Sequence, residues 1–450
     1  MTASSSRFRG FFYESARLLR RRMFLATAAT TLVAAGALSA RFTRRPVLLD
    51  QPVRKQEAIH YPSKARTPPK TPDEVSARLR ELQRTVLLRK DGIYRYDWNQ
   101  VASNDPCEDD HDERTVSDVD EGNWYFWGVY DGHSGWNTSL FLRDHLVTAV
   151  VDELKFACRH AAKQNACPTP AALGDCMKKA FVQVDDTIVR DHVTRVFKGP
   201  VSLQQAASLL LPALSGSCAL LAAYSAKSQN LQVACTGDSR AVLGVRSKDN
   251  RGWETVPMSA DQTGANPSEA ERLQAEHPGE TVLTNNRILG RLMPSRAFGD
   301  AKYKWTSEVA ARLYREYFAL RPLPTKTPPY VTAEPVVQVQ RIEPSRQSFL
   351  ILATDGLWDT MSSERAVQLV GEWIESGQLD GKGARSTARQ LFSSSSATPV
   401  KDSNAATHLI RHALGGEDKR VSSLLTLTYP VSRRYRDDIT VTVVFFDYGN

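Results

Sequence analysis

An α+β fold is expected for this chain, on three observations. Short runs of β-branched and aromatic residues are joined by tight turns, as around Ser228-Gln229-Asn230, which implies antiparallel pairing. Helical periodicities fall in separate blocks and do not alternate with single strands. Strand-like runs also end in acidic residues, the first being Trp127-Gly-Val-Tyr-Asp131-Gly132-His133-Ser134-Gly135. At 450 residues there is room for one large domain or two ordinary ones, and ample length to bury a core.

In chain order, residues 1–22 are rich in Arg and Ser with Glu14 the single acid, the composition of a mitochondrial transit peptide. Met23–Ala40 follows as eighteen uncharged residues between Arg20-Arg21-Arg22 and Arg41, Arg44 and Arg45. That is the short end of membrane-spanning length. Two readings stay open: a presequence removed on import, or an anchor or sorting stop in the inner membrane. The expected location is the mitochondrion, in the matrix or the intermembrane space. Residues 1–45 are thus read as a targeting segment. Residues 46–70, with five Pro among Lys and Arg, read as an extended linker, and 71–450 as the folded domain.

The formal charge of +8 lies wholly in residues 1–45, which hold nine Arg and one Glu; the rest of the chain balances. A nucleic-acid binder carries its basic excess on the folded domain, so that class is discounted. The six Cys (107, 158, 167, 176, 218 and 235) include no Cys-x-x-Cys pair. They read as reduced thiols in an intracellular protein, not as a disulfide frame or zinc site.

Thr71-Pro72-Asp73-Glu74 has the form of a capping box with Pro at the first helical position. Val75, Leu79, Leu82 and Val86 then follow at helical spacing. Tyr125–Asp131 is a strand and Leu140–Leu154 a helix. Leu173, Met177, Ala180, Phe181, Val184 and Ile188 mark a second amphipathic helix. Strands follow at Gly216–Tyr224, Leu231–Cys235 and Ala241–Val245. Phe349-Leu-Ile-Leu-Ala-Thr-Asp355-Gly356 repeats the strand running into an acid, and Ala366, Leu369, Val370, Trp373 and Ile374 share a helix face. Ser393–Ser396 reads as a surface loop. Ile439–Phe446, opened by Asp437-Asp438, is a closing strand.

Acids therefore stand at strand ends or in polar turns at Glu108-Asp109, Asp131, Asp238, Asp355, Asp359 and Asp437. Taken alone, Asp131-Gly132 would be a hairpin turn. Carboxylates gathered in a partly dry site repel one another unless cations neutralise them. Oxygen ligands without Cys select Mg²⁺ or Mn²⁺ over zinc. Two such ions, about 4 Å apart, can acidify a bridging water and aim it at phosphorus, and His133 can protonate the leaving oxygen. The chemistry expected is hydrolysis of a phosphate ester.

Five ordered motifs now give a resemblance. They are Asp131-Gly-His-Ser-Gly135, Gly237-Asp-Ser-Arg240, Ser295-Arg-Ala-Phe-Gly-Asp300, Asp355-Gly-Leu-Trp-Asp359 and Asp437-Asp-Ile-Thr440. From about residue 90 onward the chain resembles the metal-dependent serine/threonine protein phosphatases of type 2C. Arg287–Trp305 and Tyr435–Val444 are similar to the pyruvate dehydrogenase phosphatase branch. The resemblance implies a sandwich of two antiparallel β-sheets flanked by helices, with the metals at one end.

It also implies roles. Asp131 would bridge two Mg²⁺ or Mn²⁺ ions, with the Gly132 carbonyl and Glu108 on one and Asp355 and Asp437 on the other. Asp238 and Asp359 match holders of a weaker third ion, and His133 matches the general acid. Asp109 is the neighbouring candidate ligand to Glu108, in a stretch crowded by Asp110, Asp112 and Glu113. Many relatives keep a phosphate-gripping Arg at the position of Asn104, so phosphate binding here should lean on the metals. Asp238 divides evenly between ligand and structural turn. Arg296 and Asp300 read as structural, a buried pair or turn, and His111 and His145 as surface or core residues. The implied substrate is a phosphoprotein, the pyruvate dehydrogenase complex on resemblance. Rival functions are a pseudophosphatase scaffold that binds phosphoproteins, and a nuclease or small-molecule phosphatase using the same metals.

Overall fold

The described residues form fourteen strands, in chain order β1 (Arg84–Lys90), β2 (Ile93–Val101), β3 (Asp110–Val116), β4 (Trp124–His133), β5 (Gly216–Ser225), β6 (Asn230–Thr236), β7 (Arg240–Arg246), β8 (Trp253–Pro257), β9 (Leu283–Thr284), β10 (Arg287–Ile288), β11 (Phe298–Gly299), β12 (Val336–Arg341), β13 (Ser348–Ala353) and β14 (Ile439–Phe446). The computed structural model describes residues 68–120, 122–380, 401–416 and 418–446. The chain divides between Arg66 and Thr67, and every described residue belongs to the second unit. The targeting segment, Met23–Ala40 and Ser393–Ser396 lie outside the described residues. No described helix is long and apolar enough to cross a membrane.

One sheet runs β1-β2-β14-β13-β7-β8 and the other β12-β6-β5-β4-β3, with β11 added beside β5. Every pairing between these strands is antiparallel. Period-two alternation assigns the faces. In β4, Tyr125, Trp127 and Val129 meet Leu350, Leu352, Val444 and Phe446 of the opposite sheet, forming the layer between the sheets. Trp124, Phe126 and Tyr130 face the other way, into helices.

Those helices are α2 (Asn137–Ala162), α3 (Pro170–Asp186), α4 (His192–Lys198) and α5 (Leu203–Leu214); α1 (Pro72–Arg80) precedes β1. Leu142, Leu146 and Val150 of α2, with Met177 and Phe181 of α3, cover the β4 and β5 face. On the second sheet, Phe349, Ile351, Val441 and Val443 pack under later helices. Here α6 (Pro267–Glu276) and α7 (Ser307–Glu316) come between β8 and β12, and α8 (Asp355–Trp358), α9 (Ser363–Glu375), α10 (Ala405–Ala413) and α11 (Asp418–Thr426) follow β13. Val370 and Trp373 of α9, Leu409 of α10 and Val75 and Leu79 of α1 complete that layer. Each such side chain contributes about 1.5–3 kcal/mol on burial, enough together to hold a charged cluster at one edge.

The capping box is formed: Glu74 N–H donates to Thr71 Oγ1 at 3.3 Å and Thr71 N–H to Glu74 Oε2 at 2.7 Å. The helix ends at Arg80, however, and does not reach Val86. Leu82 is 44 % exposed, and Val86 lies in β1, paired with Tyr96 of β2. The helical spacing there was a coincidence of a half-covered edge strand. The second helix also differs, passing through a π-helical segment, Thr187–Asp191, into α4.

Candidate metal centre

The site follows from topology. β14 runs antiparallel to β13, pairing Val441 with Ala353, so the chain entering β14 lies beside the chain leaving β13. Asp355 and Asp437 are thereby brought to one end. β2 pairs Val101 with Ile439, which carries the 103–109 segment to the same edge. Asp131 has the parity of Trp127 and Val129, so it points between the sheets at this end. Asp238 sits in the connection by which β6 of one sheet passes to β7 of the other.

Asp131, Asp238 and Asp355 each offer a carboxylate oxygen within 4.8 Å of the others. Asp131-Gly132 is not a hairpin turn: β4 continues to His133, with Asp131 opposite Cys218 of β5. Burial and then the charges of Asp355, Asp109 and Asp238 hold the Asp131 carboxyl well above the usual carboxylate range. Asp355 is pushed up to about 8 by burial and by Asp238, Asp437 and Asp359. Burial also raises Asp238, although Cys218 Sγ donates to its Oδ1 at 3.1 Å. Asp355 Oδ1 is buried without a hydrogen-bond partner. Three converging carboxylates, one of which carries an unpartnered buried oxygen, fit a hard divalent cation.

The other expected ligands stand around this triad. Glu108 Oε1 accepts from Gly135 N–H at 2.6 Å and Oε2 from Asn104 Nδ2 at 3.2 Å. The Glu108 carbonyl accepts from Ser139 Oγ at 2.5 Å and presses on Gly132, where a side chain would overlap it. Asp109 is buried, accepts from Thr440 Oγ1 at 2.7 Å, and is held well above its ordinary range by burial and Asp438. The crowded acids after it face elsewhere: Asp110 pairs with Arg143 at 2.8 Å, Asp112 with Arg114 at 2.6 Å and Glu113 with His111 at 2.9 Å. Asp437 is ion-paired with Arg433. Asp359 follows the end of α8, its carboxyl partly shielded at the mouth of the site and raised by that partial desolvation and by Asp437. Asn104 Nδ2 is turned onto Asp438 Oδ2 at 3.0 Å as well as onto Glu108.

His133 Nε2 meets Asp300 Oδ2 at 2.5 Å. The register explains this: Gly216 of β5 lies opposite both His133 of β4 and Gly299 of β11, so Asp300 emerges beside the imidazole. Burial, which would lower the His133 pKa, is outweighed by the Asp300 charge, and the pKa is raised. The expected pairing of Asp300 with Arg296 is not made, since Arg296 binds Glu269 at 2.7 Å; the expected turn is, with Asp300 opening the 3₁₀ turn Ala301–Tyr303 and its carbonyl accepting from Tyr303 N–H at 2.9 Å. Three more partners were missed. Cys218 holds Asp238, Asp438 accepts the N–H groups of Ser103, Asn104 and Glu108, and Arg433 meets Asp437. Only the paired acids Asp437-Asp438 carried a sequence signal for any of them. His111 lies tilted against Trp98 and His145 meets Phe141 edge-on, and neither belongs to the Asp131, Asp238 and Asp355 triad.

The family model described as protein phosphatase 2C matches residues 102–415. The chain belongs to that family. It is a metal-dependent protein serine/threonine phosphatase, and a phosphoprotein is its substrate. A protein phosphatase 2C homolog of Schizosaccharomyces pombe is 59 % identical over 430 residues, covering 94 % of this chain and 95 % of its own. The mitochondrial [pyruvate dehydrogenase [acetyl-transferring]]-phosphatase 1 of Saccharomyces cerevisiae is 37 % identical over 419 residues, covering 83 % of this phosphatase and 72 % of its own length. The Homo sapiens protein of the same description is 32 % identical over 425 residues, covering 79 % and 78 %.

Proposed function

We propose that the phosphatase works with two Mg²⁺ or Mn²⁺ ions and a weaker third, and that it dephosphorylates pyruvate dehydrogenase in the mitochondrion. The observation that carries the metal reading is the convergence of Asp131, Asp238 and Asp355, with Asp355 Oδ1 unpaired. Asp131 would be the shared ligand, with Glu108 and the Gly132 carbonyl on one side and Asp355 and Asp437 on the other. Asp238 and Asp359 would serve the third ion, and Asp109, beside Glu108 and bonded to Thr440, is a further candidate ligand. When bound, the ions supply Lewis acidity, lowering the pKa of a water and neutralising phosphoryl oxygens.

The chain's own residues do the rest. The carboxylates hold the charge that draws cations in. His133, its pKa raised by the Asp300 carboxylate on Nε2, would use Nδ1 to hand a proton to the serine or threonine oxygen as it departs. Asp438 fixes the 103–108 loop so that Glu108 faces the site. The substrate and location rest on the names of the relatives and on the Arg-rich composition of residues 1–22.

Asp131→Asn and Asp355→Asn should each abolish hydrolysis of a phosphoserine peptide and the rise in Tm that Mn²⁺ gives, and a chelator should do the same to the unaltered protein. Full turnover in all three would refute the metal reading. Phosphoproteomics of mitochondria lacking the protein should show pyruvate dehydrogenase hyperphosphorylated. Protease protection in intact and swollen mitochondria would separate matrix from intermembrane space.

A further inference from the structure

Arg433 lies in the 3₁₀ turn Ser432–Arg434, just ahead of β14, at the rim of the carboxylate cluster. Its guanidinium is ion-paired with Asp437, its side chain is 40 % exposed, and Asp438 and Glu108 lie within its field. The turn is stitched to the loop that carries Asn104. Ser432 Oγ donates to the Ser103 carbonyl at 2.6 Å, while Asn104 N–H donates to Asp438 at 2.9 Å. Arg433 therefore stands next to the place where a cation would meet an incoming phosphoryl group, and Asn104 brings no charge there. The Asn104 amide is in any case committed to Asp438 and Glu108. Arg436 is no substitute, because its Nε and Nη1 are buried.

We propose that Arg433 grips the substrate phosphoryl group, supplying from the loop before β14 the forked cation that Asn104 lacks. This rests on the phosphatase reading and adds a residue to the same site. A phosphomonoester dianion approaching a ring of carboxylates is repelled unless each charge is met. A guanidinium can meet two of its oxygens with parallel N–H donors. A half-exposed ion pair such as Arg433–Asp437 is weak enough to exchange for that dianion. The long side chain then moves from one anion to another without a backbone change.

The test uses the full chain loaded with Mn²⁺, with inorganic phosphate as the calorimetric probe. Arg433→Ala should weaken phosphate binding about tenfold or more and raise KM for a phosphoserine peptide by a similar factor. Arg433→Lys should recover part of the loss, since it keeps the charge without the fork. The neighbouring Arg434→Ala should bind phosphate as the unaltered chain does. Mn²⁺ affinity measured without phosphate should not fall in Arg433→Ala. Unchanged phosphate binding in Arg433→Ala overturns the proposal, as does an equal loss in Arg434→Ala or a loss accounted for by weaker Mn²⁺ binding. If the unaltered chain fails to turn over phosphopeptide, the phosphatase reading falls, yet the phosphate titration still decides for or against Arg433.

Discussion

The hydrogen bond between His133 and Asp300 passes over Gly216, where any side chain would collide with both. The proposed general acid is thus held by a residue far away in sequence, through a gap that one glycine keeps open. Its contribution depends on how poor the leaving group is. His133→Ala should lower kcat for a phosphoserine peptide on the order of a hundredfold, and Asp300→Asn by less. Both should leave hydrolysis of an aryl phosphate nearly unchanged, because a phenolate departs without a proton. Equal losses on the two substrates would point to damage of the fold. The sequence showed Asp131, Asp355 and His133 because each sits in a short motif beside its strand. Asp300 was visible as a residue but not as a partner, since nothing local reports that β11 joins β5 beside His133.

Between elements, Glu269 ties α6 to the segment that delivers Asp300. It accepts from Arg296 and Arg272 and from Ser295 Oγ at 2.7 Å. Burial would raise its pKa, but these hydrogen bonds prevail and bring it to about 2. A carboxylate depressed on folding stabilises fully above its unfolded value near 4.5, and the contribution is lost as pH falls toward 2. Glu269→Gln should therefore cost about 3 kcal/mol in urea unfolding at pH 7. The difference from the unaltered protein should shrink steadily between pH 4.5 and pH 2. A pH-independent difference would show that the lost packing matters and the charge does not. Legibility at this level followed chemistry. β4, β5, β13 and β14 are buried on both faces and read as apolar runs. β3, Asp-His-Asp-Glu-Arg-Thr-Val, is a strand only because β4 offers it partners. β2 hides its pattern differently, burying Arg95, Asp97 and Asn99 on one face, with Arg95 paired to Asp97 at 2.5 Å.

Across the whole molecule, the start of the described fold is fastened to its far end. Lys70 N–H donates to Thr426 Oγ1 at 3.1 Å, and Ser422 Oγ donates to the Lys70 carbonyl at 2.5 Å. Val75 and Leu79 of α1 are fully buried. A chain beginning at Thr67 should melt with the full-length protein, whereas one beginning at Arg84 should lose on the order of 5 °C or more in Tm. Calorimetry of the two truncations decides it, and equal Tm values would mean that α1 is dispensable.

β14 is the last described strand, yet it lies in the interior of its sheet, between β2 and β13. A ribosome that has not yet passed Asp437 has made two halves of a divided sheet and no seat for the guanidinium at its rim. Premature termination anywhere ahead of Ile439 would yield an unfinished molecule and not a shortened enzyme. Until β14 has been made, the growing polypeptide should have no activity toward a phosphoprotein.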